Sequence, residues 1–310
     1  MTLNVLLATA TATAERYRPA IARALQDIGV DASLRPDHAP ETVDYVVYTP
    51  DSDLVDFAPF KRAKAVLSLW AGVEKIVSNP TLTIPLARMV DDGLREGMVE
   101  YVTGHVLRHH LGMDAHIVNP AHRWKKRIPP LARDRHVAIL GLGELGAACA
   151  QTLVGLNFRV SGWSRRKKSL EGIACHHGPN GLHGALAGAD IIVLLLPATP
   201  ETENTMNTQT LGQLQPGAFV INPGRGTLID DDALIAALDG GQIAHATLDA
   251  FREEPLPPDH PFWLHPKVTI TPHVASDTRP DSAARVIAQN IRRGETGEEL
   301  LHLVDRGAGY

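Results

Sequence analysis

The sequence predicts an α/β fold with doubly wound parallel sheets, and three observations point to it. Short apolar runs alternate with helical patterns along the whole chain, as expected for strands joined by helical crossovers. Runs such as residues 191–196 are apolar at every position, which is typical of strands that are buried on both faces of a parallel sheet. The chain has 310 residues, which is enough for two domains that each bury a core.

The first part of the chain contains strands joined by helices. Residues 16–28 carry apolar side chains at helical spacing, and Gly29 ends that helix. A long helix is predicted from Met98 to Val118, and prolines beyond it mark a connection. The strands predicted in this part lie at residues 3–8, 45–48 and 65–69.

A second and more regular series of strands and helices follows residue 130. Three aspartates at residues 230–232 precede an apolar helical run that stops at Gly240, and helices favour acids at their start and glycine at their end. A last helix is predicted at residues 279–292. The strands of this series lie at residues 137–140, 159–163, 191–196, 218–222, 246–250 and 268–271.

Composition and charge restrict the partners. A formal charge of −5 and a pI near 6.3 argue against nucleic acid or an anionic membrane as the main partner. No apolar run approaches the roughly 20 residues of a spanning helix, and the apolar opening run lacks the basic region of a signal peptide. Cys149 and Cys175 are not spaced as a redox or metal pair, which fits free thiols in a reducing cytoplasm.

Histidines and cysteines elsewhere in the chain do not predict a metal site. His105 and His109 are four residues apart on the long helix, but no glutamate lies between them and no third ligand is evident. We expect a structural or solvated histidine face. We place residues 175–177 in a glycine-bounded loop and expect Cys149 to be a small packed side chain.

Residues 141–146 have the form of a phosphate-binding turn between a strand and a helix. Glycines let the backbone turn sharply and approach a pyrophosphate, whose charge meets the helix N-terminus. The alternative is an ordinary glycine turn. In this context we predict a Rossmann-like domain that binds a dinucleotide through Gly141, Leu142, Gly143, Glu144, Leu145 and Gly146.

The next strand ends in a basic segment that predicts the type of cofactor. NAD-binding sites place an acid about 20 residues after the turn, where it binds the ribose hydroxyls, but this segment has no carboxylate. Guanidinium groups can instead pair with the 2′-phosphate of NADP, and a serine hydroxyl can add a hydrogen bond. The alternative is a solvated basic loop. We predict NADP(H), held by Trp163, Ser164, Arg165, Arg166 and Lys167.

Three residues at the ends of later strands fit the reduction of a 2-oxo acid. The planar fork of Arg225 could hold carboxylate and ketone oxygens together. His273 could give a proton to the ketone oxygen, and Glu254 could bind its other ring nitrogen and favour the imidazolium. Each residue alone has a structural explanation, as a turn, surface or capping residue. Together, behind a nucleotide turn, they fill every role that the reaction requires.

The chain resembles the D-isomer-specific 2-hydroxyacid dehydrogenases, most closely their glyoxylate/hydroxypyruvate reductase A branch. This resemblance implies that Arg225, Glu254 and His273 are the catalytic arginine, acid and histidine. The motifs that carry it span nearly the whole chain and are WSRRKKS, LLLPATPET, DDDALIAALDGG, REEPLPP, HPKVTITPHVA and VDRGAGY.

The resemblance also implies substrate-binding residues. Ala71, Gly72 and Val73 would form a loop whose backbone amides take the substrate carboxylate, and glycine in such a loop lets amides approach an anion. Some relatives have tryptophan near Tyr48, so side-chain specificity would depend on this position. Trp124 is the candidate for a tryptophan that reaches a neighbouring subunit's site, although core or interface packing is an equal alternative.

Further cofactor contacts and a homodimer follow from the same resemblance. Leu196 and Pro197 would line the nicotinamide ribose, and Asp249 would lie near the nicotinamide amide. The long helix that starts at Met98 would pack against a second subunit. The pair Pro223–Gly224 departs from a commoner alanine-containing pair before the arginine.

The sequence thus predicts a cytoplasmic, homodimeric, NADPH-dependent reductase of glyoxylate and hydroxypyruvate. Its fold would consist of two Rossmann-like domains with doubly wound parallel sheets and the active site in the cleft between them. Residues 1–97 with 276–310 would bind substrate, and residues 98–275 would bind NADP. Two alternatives stay open: a reductase of a bulkier 2-oxo acid such as phenylpyruvate, and a cofactor-sensing co-regulator without enzymatic activity.

Overall fold

The computed structural model describes residues 2–117 and 119–310 and divides the chain into two compact units. One unit contains residues 1–94 and 277–310, and the other contains residues 95–276. The first boundary lies after residue 94, three residues before the predicted one at residue 97. The second lies after residue 276, one residue beyond the predicted one at residue 275. Each unit is built on one all-parallel sheet with helices, so the predicted α/β fold with two parallel sheets is confirmed.

The first unit has a five-stranded sheet in the order β2-β1-β3-β4-β5, flanked by helices α1 (Thr11–Asp27) and α8 (Pro280–Thr296). The two predicted strands β1 and β3 are confirmed at both ends. The prediction missed strand β2 because its side chains are at most partly buried, and it missed strand β5 because that strand has only two residues. The strands are β1 (Leu3–Ala8), β2 (Ala32–Arg35), β3 (Tyr45–Tyr48), β4 (Ala65–Ser68) and β5 (Leu86–Ala87).

The second unit has a seven-stranded sheet in the order β12-β11-β10-β9-β6-β7-β8, with every pair parallel. The strand order reverses between β6 and β9, and ligands of open α/β sheets bind beyond the carboxyl ends of the strands at such a point. The strands are β6 (His136–Leu140), β7 (Arg159–Ser164), β8 (Ile173–His177), β9 (Ile191–Leu194), β10 (Ala218–Asn222), β11 (Ile243–Leu248) and β12 (Val268–Ile270).

Strand β9 shows why its apolar run predicts a strand covered on both faces. Ile192 and Leu194 belong to one hydrophobic core, whereas Ile191 and Val193 belong to the core on the opposite face of the sheet. All four side chains are fully buried. Successive side chains of a strand point to opposite faces, so a strand between two helical layers must be apolar throughout.

The long predicted helix differs from the observed one at both ends. Helix α2 (Asp92–Leu111) begins six residues before Met98, and Gly112 ends it with a φ of +62°, a conformation that glycine adopts without a steric penalty. Val118 lies outside the described residues. The other helices of this unit are α3 (Asp114–Ile117), α4 (Glu144–Gly155), α5 (Gly178–Leu186), α6 (Thr208–Leu211) and α7 (Asp231–Asp239).

Short 3₁₀ helices complete both units. One of them begins directly after Arg225, and another ends directly before His265. The four segments are Pro40–Thr42, Ala132–Asp134, Gly226–Leu228 and Pro261–Leu264.

The predicted loop at residues 175–177 is wrong, because these residues form the end of the edge strand β8. An edge strand with polar, partly exposed residues lacks the apolar run or alternation by which strands are recognised. Cys149, in contrast, is fully buried in helix α4, and burial raises the pKa of its thiol to about 12. That finding agrees with its interpretation as a packed side chain.

The histidines of helix α2 face the protein interior. His109 is 3% exposed, its Nε2 lies 3.0 Å from Thr247 Oγ1, and its ring stacks on Phe219. Within the described ranges, no group of three or more metal-ligating side chains is arranged to hold an ion. No helix formed by those residues is long and apolar enough to cross a membrane.

Burial of His109 predicts a loss of stability in acid. Burial, with smaller contributions from His245 and Arg108, lowers the pKa of His109 to about 3. An unfolded histidine titrates near 6.5, so below that pH the unfolded chain takes up a proton that the folded chain excludes. We expect His109→Gln, which keeps a hydrogen-bonding group but does not titrate, to lose about 2 kcal/mol less stability between pH 7 and pH 5 than the wild type.

Urea unfolding at the two pH values measures this difference. His116→Gln, at an exposed position of helix α3, is the matched control and should lose as much stability as the wild type. An equal loss in His109→Gln and wild type would show that His109 does not contribute to acid unfolding.

Candidate active site

The predicted site residues of the second unit, apart from Trp124, lie at the ends of strands of one parallel sheet or in the segments that follow them. Because the strands run in the same direction, the segments that follow them meet at the carboxyl edge of that sheet. These segments are the turn after β6, the basic loop after β7, Leu196–Pro197 after β9, Arg225 after β10, Asp249 and Glu254 after β11, and His273 after β12.

The turn after β6 is held by close backbone packing. A Cβ added at Gly146 would lie 1.7 Å from the Gly141 carbonyl oxygen, so only glycine fits there. Leu142 is buried in the core, and Gly143 is the N-cap of α4 without a side-chain hydrogen bond to the first turn. An added Cβ at Gly143 meets no atom within 4 Å, so the helix N-terminus is accessible to an anionic group at this point.

The tryptophan and serine before the basic loop have partners within the unit. Trp163 packs against the core, its indole Nε1 donates to the Gly178 carbonyl at 2.7 Å, and its own carbonyl accepts from Gly141 N. Ser164 is buried, and its hydroxyl donates to the Arg166 carbonyl at 2.7 Å. Both side chains therefore shape the loop, and their predicted contact with a cofactor stays a prediction.

The cations of the basic loop are exposed at the sheet edge. Arg165, Arg166 and Lys167 are all exposed. Hydrogen bonds from its own backbone amide and from Thr199, with a smaller contribution from Arg165, lower the pKa of Glu201. Arg165 thus lies within electrostatic range of the loop that follows β9, next to the point where the strand order reverses.

The loop after β9 is ordered by a threonine. Thr202 Oγ1 donates to the Pro197 carbonyl at 2.6 Å and accepts from Thr199 N at 2.9 Å. Leu196 is buried and Pro197 is partly exposed. Leu196 lies beside the glycine turn, since a Cβ added at Gly141 would be 2.9 Å from Leu196 N. The predicted ribose contacts of Leu196 and Pro197 stay predictions.

The loop that carries Arg225 is built around Asn222. The Asn222 side chain is 1% exposed, donates to the Arg225 carbonyl at 2.9 Å and accepts from Gly224 N at 3.2 Å. The Arg225 side chain is half-buried, and its Nη1 donates to the Gly224 carbonyl at 2.8 Å. These hydrogen bonds fix the backbone at Gly224 and at Arg225.

The Arg225 loop is packed directly against the segment before Glu254. A Cβ added at Gly226 would lie 1.9 Å from the carbonyl carbon of Phe251, so the two backbones are in contact. The guanidinium group of Arg252 donates to the Ile229 carbonyl and to Asn204 Oδ1. Arg252 was not predicted by sequence reasoning, and it ties the two loops that present Arg225 and Glu254.

Glu254 and His273 are joined by a hydrogen bond. His273 Nδ1 lies 2.8 Å from Glu254 Oε2, and Glu254 Oε1 accepts from the Phe251 amide at 2.8 Å. The His273 side chain is 47% exposed and the Glu254 side chain is 36% exposed. An ionised carboxylate only accepts, so the proton of this bond belongs to Nδ1, and Nε2 is the nitrogen that can exchange a proton with a ligand.

Asp249 is fully buried and anchors the segment that carries His273. Its Oδ1 accepts from Thr271 Oγ1 at 2.6 Å and from Val274 N at 2.9 Å, and its Oδ2 accepts from Ala275 N at 2.9 Å. Both carboxylate oxygens thus have protein donors, which a buried charge requires. The predicted contact of Asp249 with a nicotinamide amide stays a prediction.

The predicted substrate residues of the first unit lie at the carboxyl edge of its own sheet. Tyr48 ends β3, is buried and packs edge-to-face on Phe57. Residues 71–73 follow β4, with Ala71 and Gly72 partly exposed and Val73 buried. Trp124, in the second unit, is fully exposed. The roles of these residues in substrate binding stay predictions.

Sequence reasoning missed the residues that hold the site in place. Asn222, Arg252, Thr271 and Tyr101 act through hydrogen bonds to the backbone or to other side chains. The weak sequence signal for them is a polar residue at the end of an apolar strand, as at Asn222 and Thr271. Nothing in the sequence pairs Tyr101 with a residue 170 positions away.

The sequence matches the family model described as "D-isomer specific 2-hydroxyacid dehydrogenase, NAD binding domain" over residues 104–275. A curated relative, glyoxylate/hydroxypyruvate reductase A from Serratia proteamaculans (strain 568), is 36% identical over 317 residues, which cover 99% of this chain and 100% of the relative.

Solved structures of similar proteins share the fold over the whole chain. A D-isomer specific 2-hydroxyacid dehydrogenase from Xanthobacter autotrophicus Py2, in complex with NADPH and MES, is 39% identical with a TM-score of 0.93, and each chain is covered to 100%. An NADPH-dependent glyoxylate/hydroxypyruvate reductase from Sinorhizobium meliloti, in complex with NADP and sulfate, is 32% identical with a TM-score of 0.87. That match covers 100% of this chain and 99% of the other.

The turn after β6 allows a matched pair of glycine variants. Gly143→Ala places a methyl group in open space at a φ of −74°, so we expect an unchanged Tm but dinucleotide binding weakened about tenfold or more, since a pyrophosphate would lie against this backbone. Gly146→Ala places a methyl group against the Gly141 carbonyl, so we expect a clear fall in Tm.

Thermal unfolding and fluorescence titration with the reduced dinucleotide measure the two effects. Unweakened binding by Gly143→Ala would contradict the predicted position of the pyrophosphate.

Proposed function

Because the chain belongs to the D-isomer-specific 2-hydroxyacid dehydrogenase family, we propose that it uses NADPH to reduce glyoxylate to glycolate and hydroxypyruvate to D-glycerate. The chain is accordingly an oxidoreductase that acts on the CH–OH group of 2-hydroxyacids. The observation that carries the proposal is the Glu254–His273 pair, which lies at the same sheet edge as the glycine turn and Arg225.

The chain's own residues fit NADP(H). The accessible N-terminus of α4 beside Gly143 suits a pyrophosphate, and the exposed Arg165, Arg166 and Lys167 stand where an acid would repel a 2′-phosphate. Similar structures are described in complex with NADPH or NADP. When bound, NADPH supplies the hydride that reduces the carbonyl carbon of the substrate.

His273 supplies the proton of the reaction. In the imidazolium form, Nδ1–H stays hydrogen-bonded to Glu254 Oε2 while Nε2–H is given to the ketone oxygen, which becomes the hydroxyl of the product. Glu254 stabilises the imidazolium and fixes the tautomer that remains after the transfer. Its second oxygen is held by the Phe251 amide, so the carboxylate cannot turn away from the histidine without losing that bond.

Arg225 orients the substrate. Its guanidinium group presents paired N–H donors, which suit the adjacent carboxylate and ketone oxygens of a 2-oxo acid. Because Asn222 fixes the Arg225 backbone from a buried position, the guanidinium group is preorganised for this task. The backbone amides of residues 71–73 would take the remaining carboxylate charge, as the resemblance implies.

We propose, in addition, a homodimer in the cytoplasm. Several large apolar side chains at the end of helix α2 and in the segment beyond it are exposed in a single chain, which favours their burial in a subunit interface. Both cysteines are free thiols, which fits a reducing compartment. The exposed apolar residues are Leu111, Met113, Ile117, Trp124, Ile128 and Leu131.

Initial rates of NADPH and NADH oxidation with glyoxylate, hydroxypyruvate and phenylpyruvate test the function. We expect NADPH-selective turnover of the two small acids and a fall in kcat of about 10²- to 10⁴-fold in His273→Ala, with NADPH affinity nearly unchanged. Faster turnover of phenylpyruvate would favour a bulkier substrate. Bound NADPH without turnover of any acid would favour the co-regulator alternative.

The basic loop predicts a separate effect on cofactor choice. Arg165→Ala removes a charge-assisted pair with the 2′-phosphate, worth about 1.5–3 kcal/mol, so the KM for NADPH should rise about tenfold or more while the KM for NADH changes little. Lys168→Ala, in the same exposed loop, is the matched control. Parallel changes in both KM values in Arg165→Ala would exclude the phosphate contact.

A further inference from the structure

We propose that Tyr101 and Thr271 are positioning residues that hold His273 in its catalytic place through Asp249. This inference rests on the proposed function, because it concerns the histidine that acts there. The three residues form a continuous hydrogen-bond chain: Tyr101 Oη lies 2.7 Å from Thr271 Oγ1, and Thr271 Oγ1 lies 2.6 Å from Asp249 Oδ1.

The backbone of His273 needs external support. Its φ is +53°, in the left-handed region where a residue with a Cβ is strained by about 1–2 kcal/mol. Its N–H is shared between the carbonyls of Asp249 at 2.9 Å and Thr271 at 3.0 Å. The side chains of His273 and Val274 are about half exposed, so packing does little to fix them. The conformation therefore depends on the hydrogen bonds around it.

Asp249 supplies most of these bonds from a fully buried position. Its carboxylate and carbonyl oxygens accept from four donors spread over residues 271–275. The segment on both sides of His273 is thus tied to one residue at the end of β11. A small rotation of that carboxylate would shift the imidazole relative to Glu254 and to the substrate.

The direction of the chain follows from chemistry. The Asp249 carboxylate accepts, so Thr271 must donate its hydroxyl proton to Asp249. The remaining lone pairs of Thr271 Oγ1 then accept from the phenol of Tyr101. Burial raises the pKa of Tyr101, so the phenol keeps the proton that it donates. Each hydroxyl has one defined role, and removal of either leaves the carboxylate less constrained.

Helix α2 is the rigid element to which this chain is attached. Tyr101 and Gly97 lie one turn apart on α2, and a Cβ added at Gly97 would be 2.8 Å from Ser276 Oγ, so the helix touches the far end of the same segment. Ala275 is buried in the core that contains Val102 of α2. The helix therefore fixes the histidine segment at both ends, and Tyr101 provides its polar contact.

The test removes single hydroxyls and compares catalysis with structure. In Thr271→Val we expect kcat to fall about 10- to 100-fold, as is typical of a catalytic group displaced by about 1 Å, while the KM for the 2-oxo acid and the Kd for NADPH change less than about threefold. Thr271→Ser should restore kcat to within about threefold of the wild type. Tyr101→Phe should also lower kcat, by a smaller factor. It replaces Thr271→Val as the test variant if Thr271→Val does not fold.

Thr269→Val, in strand β12 two residues before Thr271, is the matched control. The Thr269 hydroxyl contacts Arg108 and His245 and has no contact with Asp249, so its loss should leave kcat unchanged. A fall in kcat in this control equal to that in Thr271→Val would overturn the proposal, because the loss of either threonine hydroxyl would then have the same effect.

An independent readout separates this inference from the proposed function. In ¹⁵N-histidine NMR spectra of the free protein, the Nδ1–H signal of His273, assigned with His273→Ala, reports its bond to Glu254. We expect this signal to shift in Thr271→Val and to return in Thr271→Ser. If the wild type reduces no 2-oxo acid, the proposed function fails and the NMR result alone decides the positioning role.

Two further outcomes overturn the positioning role. One is an unchanged Nδ1–H signal in both Thr271→Val and Tyr101→Phe. The other applies if the wild type is active: a lower Tm with unchanged kcat in Thr271→Val and Tyr101→Phe would show that these hydroxyls only stabilise the fold.

Discussion

The all-parallel pairing of seven strands is the constraint on which the candidate site depends. Parallel strands place all their carboxyl ends at one edge, so residues from Gly141 to His273 meet there although they are far apart in sequence. The reversal of strand order between β6 and β9 opens the crevice beside the glycine turn. Because helices cover both faces of the sheet, its central strands are apolar on both sides. Polar side chains that could react with a ligand therefore lie at the ends of the strands and in the loops that follow.

Backbone contacts, more than packing of side chains, fix the proposed catalytic residues at that edge. Gly226 brings the Arg225 loop against Phe251, the Phe251 amide holds Glu254, and the carbonyl and carboxylate of Asp249 hold the turn at His273. A half-exposed imidazole has few packing partners, so its orientation comes from bonds to elements that are themselves buried. This division leaves the proposed reacting groups accessible while the residues that hold them are buried.

Buried charge has a structural use in this arrangement. Asp249 would be costly in the interior without partners, and three donors around its carboxylate offset that cost. The same bonds link β11 and β12, the two strands after which Glu254 and His273 follow. A single residue thus connects the sheet edge with the geometry of the proposed proton donor, and helix α2 is linked to it through Tyr101 and Thr271.

The sequence by itself determined the α/β class, several strands such as β1, β3 and β10 to the residue, and the glycine turn, because these depend on local apolar runs and backbone rules. It also identified Arg225, Glu254 and His273 as candidates, whose roles stay proposals. Only the tertiary structure decided that β8 is a strand, that the Trp163 indole donates to Gly178, that Asp249 binds the backbone of His273, and that Tyr101 is hydrogen-bonded to Thr271. These facts depend on the register of neighbouring strands and on contacts across as many as 170 positions, which no local pattern records.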